Sequence, residues 1–210
     1  MSKNKPFFIT FEGVEGSGKS YQCKKLLTSL KKKKFNCLFT REPGGSPGAE
    51  KIRKVILQGA KNKFSLLTDT LLYLAARNEH IEKIIKPAIN KKKIIICDRF
   101  IDSTMAYQVH GSGISKSLVN IIHKFILGKI KPNFTILLKV TSQKAFNRLK
   151  KRKYLNRYDK FPKKFYKKVQ NAFIKIANSN KKRYFIIDNS TDSNITEKII
   201  LNEVINKLNK

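Results

Sequence analysis

Apolar residues along this chain fall into two rhythms. Short unbroken runs rich in β-branched and aromatic residues occupy positions 7–11, 36–40, 94–97, 134–140 and 184–187, the pattern of strands buried on both faces. Between them, apolar positions recur every three or four residues, as at Cys23, Leu26, Leu27 and Leu30, the period of an amphipathic helix. Strands alternating with helices predict an α/β fold: a five-stranded, mainly parallel sheet flanked by helices on both faces, with ligands at the carboxyl ends of the strands. Ile195, Ile199, Ile200, Val204, Ile205 and Leu208 are spaced for a last helix that buries them. A chain of 210 residues suits a single domain over 1–210 whose core needs no disulfide or metal staple.

The carboxyl end of the first run passes directly into Gly13-Val14-Glu15-Gly16-Ser17-Gly18-Lys19-Ser20, the spacing of a phosphate-binding loop. Its glycines let the backbone turn its N–H groups inward. Lys19 has the reach for β- and γ-phosphates and Ser20 the hydroxyl for Mg²⁺. A glycine-rich turn can also be a mere tight connection. Here strand, loop and helix follow in the required order, and the helix aims its positive end at the bound anion. The loop therefore predicts a triphosphate site within a P-loop NTPase fold.

Two further clusters end strands on the same edge. Arg41-Glu42-Pro43-Gly44-Gly45 follows the second run and Asp98-Arg99 the third. A carboxylate closing an apolar strand holds Mg²⁺ in many phosphate-loop proteins, but Asp is equally a helix cap, and both roles are open to Asp98. The planar fork of Arg99 beside it suits a phosphate. Tyr73 and Arg77 lie four apart, on one helical face, and so do Ser103 and Tyr107.

Composition adds little to this chemistry. The formal charge of +32 would suit nucleic acid, but the lysines are spread over nearly every segment with abundant Asn and Ile, as under AT-rich codon drift. Runs such as Lys31–Lys34 and Lys91–Lys93 fit solvated element ends. Dedicated nucleic-acid binding is not expected, although the field favours polyanionic nucleotides. Cys23, Cys37 and Cys97 form no C-x-x-C pair and read as core thiols; His80, His123 and His110 lack metal-ligand spacing. No apolar stretch reaches membrane-spanning length, and a soluble, cytoplasmic protein is expected.

Taken together, Phe11–Ser20, Arg41–Gly45 and Asp98-Arg99-Phe100 with Ser103, Ala106, Tyr107 and Gln108 resemble the thymidylate kinases, over nearly the whole chain. The resemblance implies a nucleoside monophosphate kinase-like fold that moves a phosphoryl group from Mg-ATP to dTMP, giving dTDP. It implies ATP binding by Gly13, Val14, Glu15, Gly16, Ser17, Gly18, Lys19, Ser20 and Arg148, with metal at Ser20 and Asp98. The dTMP site would comprise Glu15 at the 3′-hydroxyl, Arg41 and Arg99 on the acceptor phosphate, Tyr73 stacking on thymine, Arg77 at the base carbonyl, Ser103, Thr104 at the thymine edge, Tyr107 against the deoxyribose, and Gln108. Tyr73 stands where the family usually has Phe.

A basic segment at about 148–160 resembles the lid of the bacterial type. Gly16 stands where the other type carries arginine, so lid arginines must supply the missing charge. The resemblance then implies a catalytic set of Lys19, Arg99, Arg152 and Arg157; the contact with the transferring phosphoryl is open between Arg148 and Arg152, with Arg152 favoured. Lysines replace part of the usual lid pattern, and Asn156 stands where Asp is common. Relatives of this type form homodimers, for which Ile52, Leu72 and Ile81 are candidate contacts. Among other functions, a deoxynucleoside kinase would share the loop but need a general base for a neutral hydroxyl. A nucleic-acid binder would not need Lys19.

Overall fold

A computed structural model of the chain describes residues 5–60, 63–151, 156–191 and 194–209. In chain order it runs β1 (Phe7–Glu12), α1 (Lys19–Lys32), β2 (Cys37–Arg41), α2 (Pro47–Leu57) and α3 (Leu66–His80). After α3 the helix widens through a π-helical stretch at Ile81–Ile85 into α4 (Lys86–Asn90). Next come β3 (Ile94–Asp98), α5 (Ile101–Thr104), a π-helical turn at Met105–Gly111, α6 (Lys116–Leu127) and β4 (Phe134–Lys139). Then follow α7 (Ser142–Lys150), a 3₁₀ turn at Arg157–Lys160, α8 (Lys163–Asn178), β5 (Tyr184–Asp188) and α9 (Asn194–Leu208).

The five strands form one sheet in the order β2-β3-β1-β4-β5, and every pairing is parallel. β1 lies mid-sheet because the chain first winds outward to β2, returns through β3 and then crosses to β4. The sequence direction thus switches at the carboxyl end of β1, where doubly wound sheets open a ligand crevice. The register aligns Phe11 and Arg41 with Asp98, so three strand ends deliver their polar residues to one edge.

Alternation along the strands supplies both faces with apolar residues. Ile9, Phe11, Ile94 and Ile96 pack against Cys23, Leu26 and Leu30 of α1 and Ile200 and Val204 of α9. Phe8, Ile95 and Cys97 face the other way, toward Ile81, Ile85, Ala88 and Phe100. This two-sided cover explains why the strands read as continuous apolar runs. Hydroxyls begin most of the outer helices: Ser46, Ser65, Ser115 and Thr141 cap α2, α3, α6 and α7. α1 instead starts at Gly18 with no side-chain cap, leaving its positive end for an anion.

Three expectations about packing change. In α9 the buried stripe is Thr196, Ile200 and Val204, while Ile195 and Ile199 are exposed; the actual four-residue line passes beside them. Ile81 is fully buried, which removes it from any surface contact. Cys37 is only half-buried, unlike Cys23 and Cys97. No helix among the described residues is long and apolar enough to cross a membrane.

Candidate active site

The carboxyl ends of β1, β2 and β3 open into a cleft lined by charged and aromatic side chains. Glu15, Lys19 and Ser20 line one end of the set. Arg41, Glu42, Pro43 and Arg53 come from β2 and α2, Tyr73 and Arg77 from α3. Asp98 ends β3, Arg99, Ser103, Thr104, Tyr107 and Gln108 follow it, and Asn156 and Tyr158 also line the wall.

Backbone shape comes first in the phosphate loop. Gly13, Gly16 and Gly18 all carry positive φ, and a side chain on Gly16 would run into the Ala145 carbonyl of α7. Ser17 N–H donates to Val14 O at 3.2 Å. From outside, Arg148 donates to Gly16 O (3.1 Å) and Asn189 O (2.8 Å), and Asn189 Nδ2 donates to Ser17 O (2.7 Å). Lys19 Nζ folds over the loop onto Val14 O (2.8 Å) and Ser17 Oγ (3.3 Å). Burial, and then the nearby positive charge of Arg99, bring its pKa down to about 8.

Ser20 donates its hydroxyl to Asp98 Oδ2. The other carboxylate oxygen, Oδ1, is buried without a hydrogen-bond partner among the described residues. Asp98 does not cap α5, whose N-cap position is Phe100 with no side-chain cap. A hydroxyl and an under-satisfied carboxylate beside a phosphate loop form an oxygen donor set that fits Mg²⁺, which binds through few carboxylates together with substrate phosphates.

Arg99 holds the centre. Its backbone has φ 73, an uncommon conformation for a non-glycine residue. Nη1 donates to Gly13 O (2.9 Å) and Ser103 Oγ (3.1 Å), and Nη2 to Glu15 Oε1 (2.9 Å). The Tyr107 hydroxyl donates to the other Glu15 oxygen, and the guanidinium carbon lies 5.1 Å from the Tyr107 ring centroid. Burial opposes ionisation of Glu15, but Arg99 and then Lys19 outweigh it and hold this carboxyl below its usual range. Burial likewise keeps Tyr107 protonated, as a hydroxyl donor.

At the end of β2, Arg41 pairs with Glu50 (3.0 Å), which also takes the Gly45 N–H (2.9 Å). Arg53 Nη1 donates to Pro43 O at 2.6 Å, so two arginines flank this loop. The Glu42–Pro43 peptide is cis. Glu42 is buried and receives Arg77 (2.7 Å) and the His80 Nδ1 edge (2.9 Å). Thr40 meets the other His80 nitrogen at 2.7 Å. Gly45 is required here: at φ +92 a side chain would come within 2.6 Å of the His80 ring.

Tyr73 is half-buried in the cleft wall, packed edge-on to Tyr158 with centroids 5.8 Å apart. Ser103, Thr104, Tyr107 and Gln108 all face the cleft, but the expected regular helix gives way to a π-helical turn from Met105. Such widened turns recur at functional sites.

The basic lid segment is where sequence and structure part. Arg157 lies outside the cleft lining. It is buried and ion-paired with Asp69 of α3, because this carboxylate is the near negative charge and also accepts the Tyr158 hydroxyl at 2.6 Å. Arg148 stands against the outer side of the phosphate loop. Arg152, expected at the transferring phosphoryl, falls outside the described residues.

Sequence reasoning missed Glu12, Arg53 and Tyr158. Glu12 accepts the Phe100 N–H (2.8 Å) and the Ser103 hydroxyl (2.6 Å), tying the Arg99 turn from below. Burial and then Asp102 push its pKa up to about 8. Its place, one residue before the phosphate loop at a strand end, was the available signal. Arg53, three residues after Glu50, shares its helical face.

The family model described as Thymidylate kinase matches residues 11–200. A thymidylate kinase of Geotalea daltonii is 38% identical over 209 residues, covering 96% of this chain and 98% of its own. That of Caulobacter vibrioides is 36% identical over 202 residues, covering 96% and 97%. The crystal structure of thymidylate kinase from Ehrlichia chaffeensis matches with a TM-score of 0.77 at 34% identity, covering 97% of this chain and 99% of that one.

Proposed function

The chain belongs to the thymidylate kinase family and phosphorylates dTMP to dTDP with ATP; from that premise we propose which of its residues carry the reaction. The observation that carries the assignment is that Lys19 and Arg99 line one cleft and meet through Glu15. One end is built for a donor triphosphate and the other for an acceptor phosphate.

Phosphoryl transfer asks the protein mainly to position two anions in line and to neutralise spreading charge. The loop amides, the open start of α1 and Lys19 hold the ATP phosphates, with Arg148 fixing the loop's outer side. Ser20 and Asp98 would hold Mg²⁺, which would supply charge neutralisation at the ATP phosphates. Arg99, Arg41 and Arg53 hold the dTMP phosphate, so the two anions approach without prohibitive repulsion. Glu15, kept ionised by Arg99, accepts the dTMP 3′-hydroxyl. Tyr73 stacks on the base; Arg77, Thr104 and Gln108 form the wall at its edge, and Tyr107 closes off the sugar where a ribose hydroxyl would stand. Residues 148–160 act as the lid, with Arg152 its phosphate arginine. Arg157 anchors the segment to Asp69.

The lowered pKa of Lys19 gives a directional test. As pH rises through about 8, the free protein loses this charge, and KM for ATP climbs toward about tenfold per pH unit. With ATP bound, the polyphosphate restores the proton, and kcat stays level. ADP formation measured from pH 7 to 10 with dTMP, and with thymidine as a control lacking the acceptor phosphate, reports both halves of the site. Lys19→Arg, which stays charged, should flatten the KM profile. A flat wild-type profile, or thymidine turning over as well as dTMP, defeats the assignment.

We also propose a cytoplasmic homodimer. Leu67 and Leu71 on α3 and Ile121 and Phe125 on α6 are exposed, Phe125 by 83%, and the two helices are in contact. An apolar patch on neighbouring helices suits a second copy. The three free thiols agree with a reducing compartment. Sedimentation at micromolar concentration should give a dimer for the wild type and a monomer for Ile121→Glu/Phe125→Glu; an unchanged dimer would place the interface elsewhere.

A further inference from the structure

Arg77 is 2% exposed, yet it lines the cleft. Its guanidinium is held on every side. Nε and Nη2 meet Glu42 Oε2 at 2.8 and 2.7 Å, and Nη2 also donates to Phe100 O at 2.9 Å. Nη1 bonds Thr104 Oγ1 at 2.7 Å and His123 Nε2 at 2.8 Å. One face rests over the Phe100 ring, 5.4 Å from its centroid. Glu42 belongs to the acceptor loop after β2, Phe100 and Thr104 to the segment after β3, and His123 to α6. Arg77 is therefore a brace between the two segments that carry the arginines of the acceptor site.

Among these partners His123 alone belongs to no segment that reaches the cleft. It is buried on α6, while Ile121 and Phe125, two residues to either side, are exposed, so the helix turns this one polar residue inward. Burial, and then Arg77 itself, take its pKa down to about 3. The ring is therefore neutral at any working pH, with Nε2 as the acceptor and the proton on Nδ1. A charged donor facing a neutral acceptor is a fixed contact.

We propose that His123 is a positioning residue for dTMP: it holds the Arg77 fork so that Nη1 and Thr104 stand in register on the base-side wall of the cleft. It touches no substrate, and it is remote in role from the ATP end at Lys19 and Ser20. Loss of the acceptor leaves a buried N–H of Arg77 Nη1 without its partner and lets Nη1 shift against Thr104. The expected signature is weaker dTMP binding with chemistry intact, because the bonds of Nε and Nη2 to Glu42 and Phe100 O, which brace the two arginine-bearing segments, do not involve His123. The inference rests on the assignment of this wall to dTMP.

The test uses His123→Phe and His123→Leu, which remove the acceptor, and His123→Gln, which keeps one. With the full-length enzyme, the apolar variants should raise KM for dTMP about tenfold, the scale of one lost bond to a charged group. KM for ATP and kcat should stay within about twofold, and His123→Gln should restore most of the dTMP affinity. Calorimetric titration of dTMP without ATP should show the same ranking. Equal dTMP affinity in all four proteins overturns the proposal. So does a joint fall in kcat and both affinities that follows the melting temperature, since that marks a general packing role. Wild-type enzyme without dTMP-dependent turnover would instead overturn the site assignment, so the two failures are distinguishable.

Discussion

Replacing Arg99 with alanine lowers kcat/KM for dTMP by about 10³, the scale of losing a preorganised donor at a transferring phosphoryl group. The side chain sits against the phosphate loop, bonded to Gly13 O, Ser103 and Glu15. Its neighbours Tyr107, Glu15 and Asp98 outweigh burial and push its own pKa upward, so it is charged throughout. Removing it does two further things. The buried Glu15 loses the partner that keeps it ionised, and the two bound anions lose the cation between them. The backbone at φ 73 costs any residue with a Cβ about 1–2 kcal/mol, arginine and alanine alike, so the alanine variant reads the side chain alone. Arg99→Gly relieves the backbone and removes the same charge, so it should lose as much activity as the alanine variant. Arg99→Lys restores charge without the fork that spans Gly13, Ser103 and Glu15, and should recover only a small part. Steady-state kinetics with both substrates varied reads all three variants. A loss below tenfold in Arg99→Gly would mean that another cation bears the transferring charge.

The parts of this site that were legible in the sequence share a physical feature: they are local. Gly13–Ser20, Arg41–Gly45 and Asp98-Arg99 are short segments whose chemistry is fixed by neighbours in the chain, and each ends a strand whose apolar run is itself a local signal. Parallel pairing then carries all three to one edge. The sheet order β2-β3-β1-β4-β5 was not legible, because strand pairing joins residues far apart in sequence and apolar runs carry no partner label. The same reason hid the contact of Arg157 with Asp69, 88 residues away, and that of His123 with Arg77, 46 residues away. A basic stretch is ambiguous by composition, and only its position, by resemblance, marks it as a lid. Which of its cations meets a phosphate and which a carboxylate is decided only in space. Glu12 was obscured differently: a carboxylate at a strand end looks solvated, whereas this one is fully buried under the Arg99 turn.

Asp98→Asn should lower kcat by about 10²–10³, a loss of the size expected when charge stabilisation at phosphoryl oxygens is removed. The substitution keeps the side chain's shape and an acceptor for the Ser20 hydroxyl, so the fold of β3 and the start of α5 should be unaffected. What it takes away is the negative charge on a carboxylate whose Oδ1 has no hydrogen-bond partner among the described residues. Leaving such an oxygen buried is costly in a finished structural role, and it is the state expected of a group that takes up a cation with its substrate. Because Asp98 does not cap α5, loss of helix stability offers no competing route to lower activity. The melting temperature should therefore stay near the wild-type value. Manganese binding followed by electron paramagnetic resonance with ATP present should weaken by about tenfold or more, the scale of losing one charged ligand or its support. Ser20→Ala should weaken it too, and the double variant should lose less than the sum of the two, the result expected of two residues that serve one ion. If manganese affinity is unchanged in Asp98→Asn while kcat falls, the carboxylate acts on Arg99 or Lys19 instead, and the metal assignment fails.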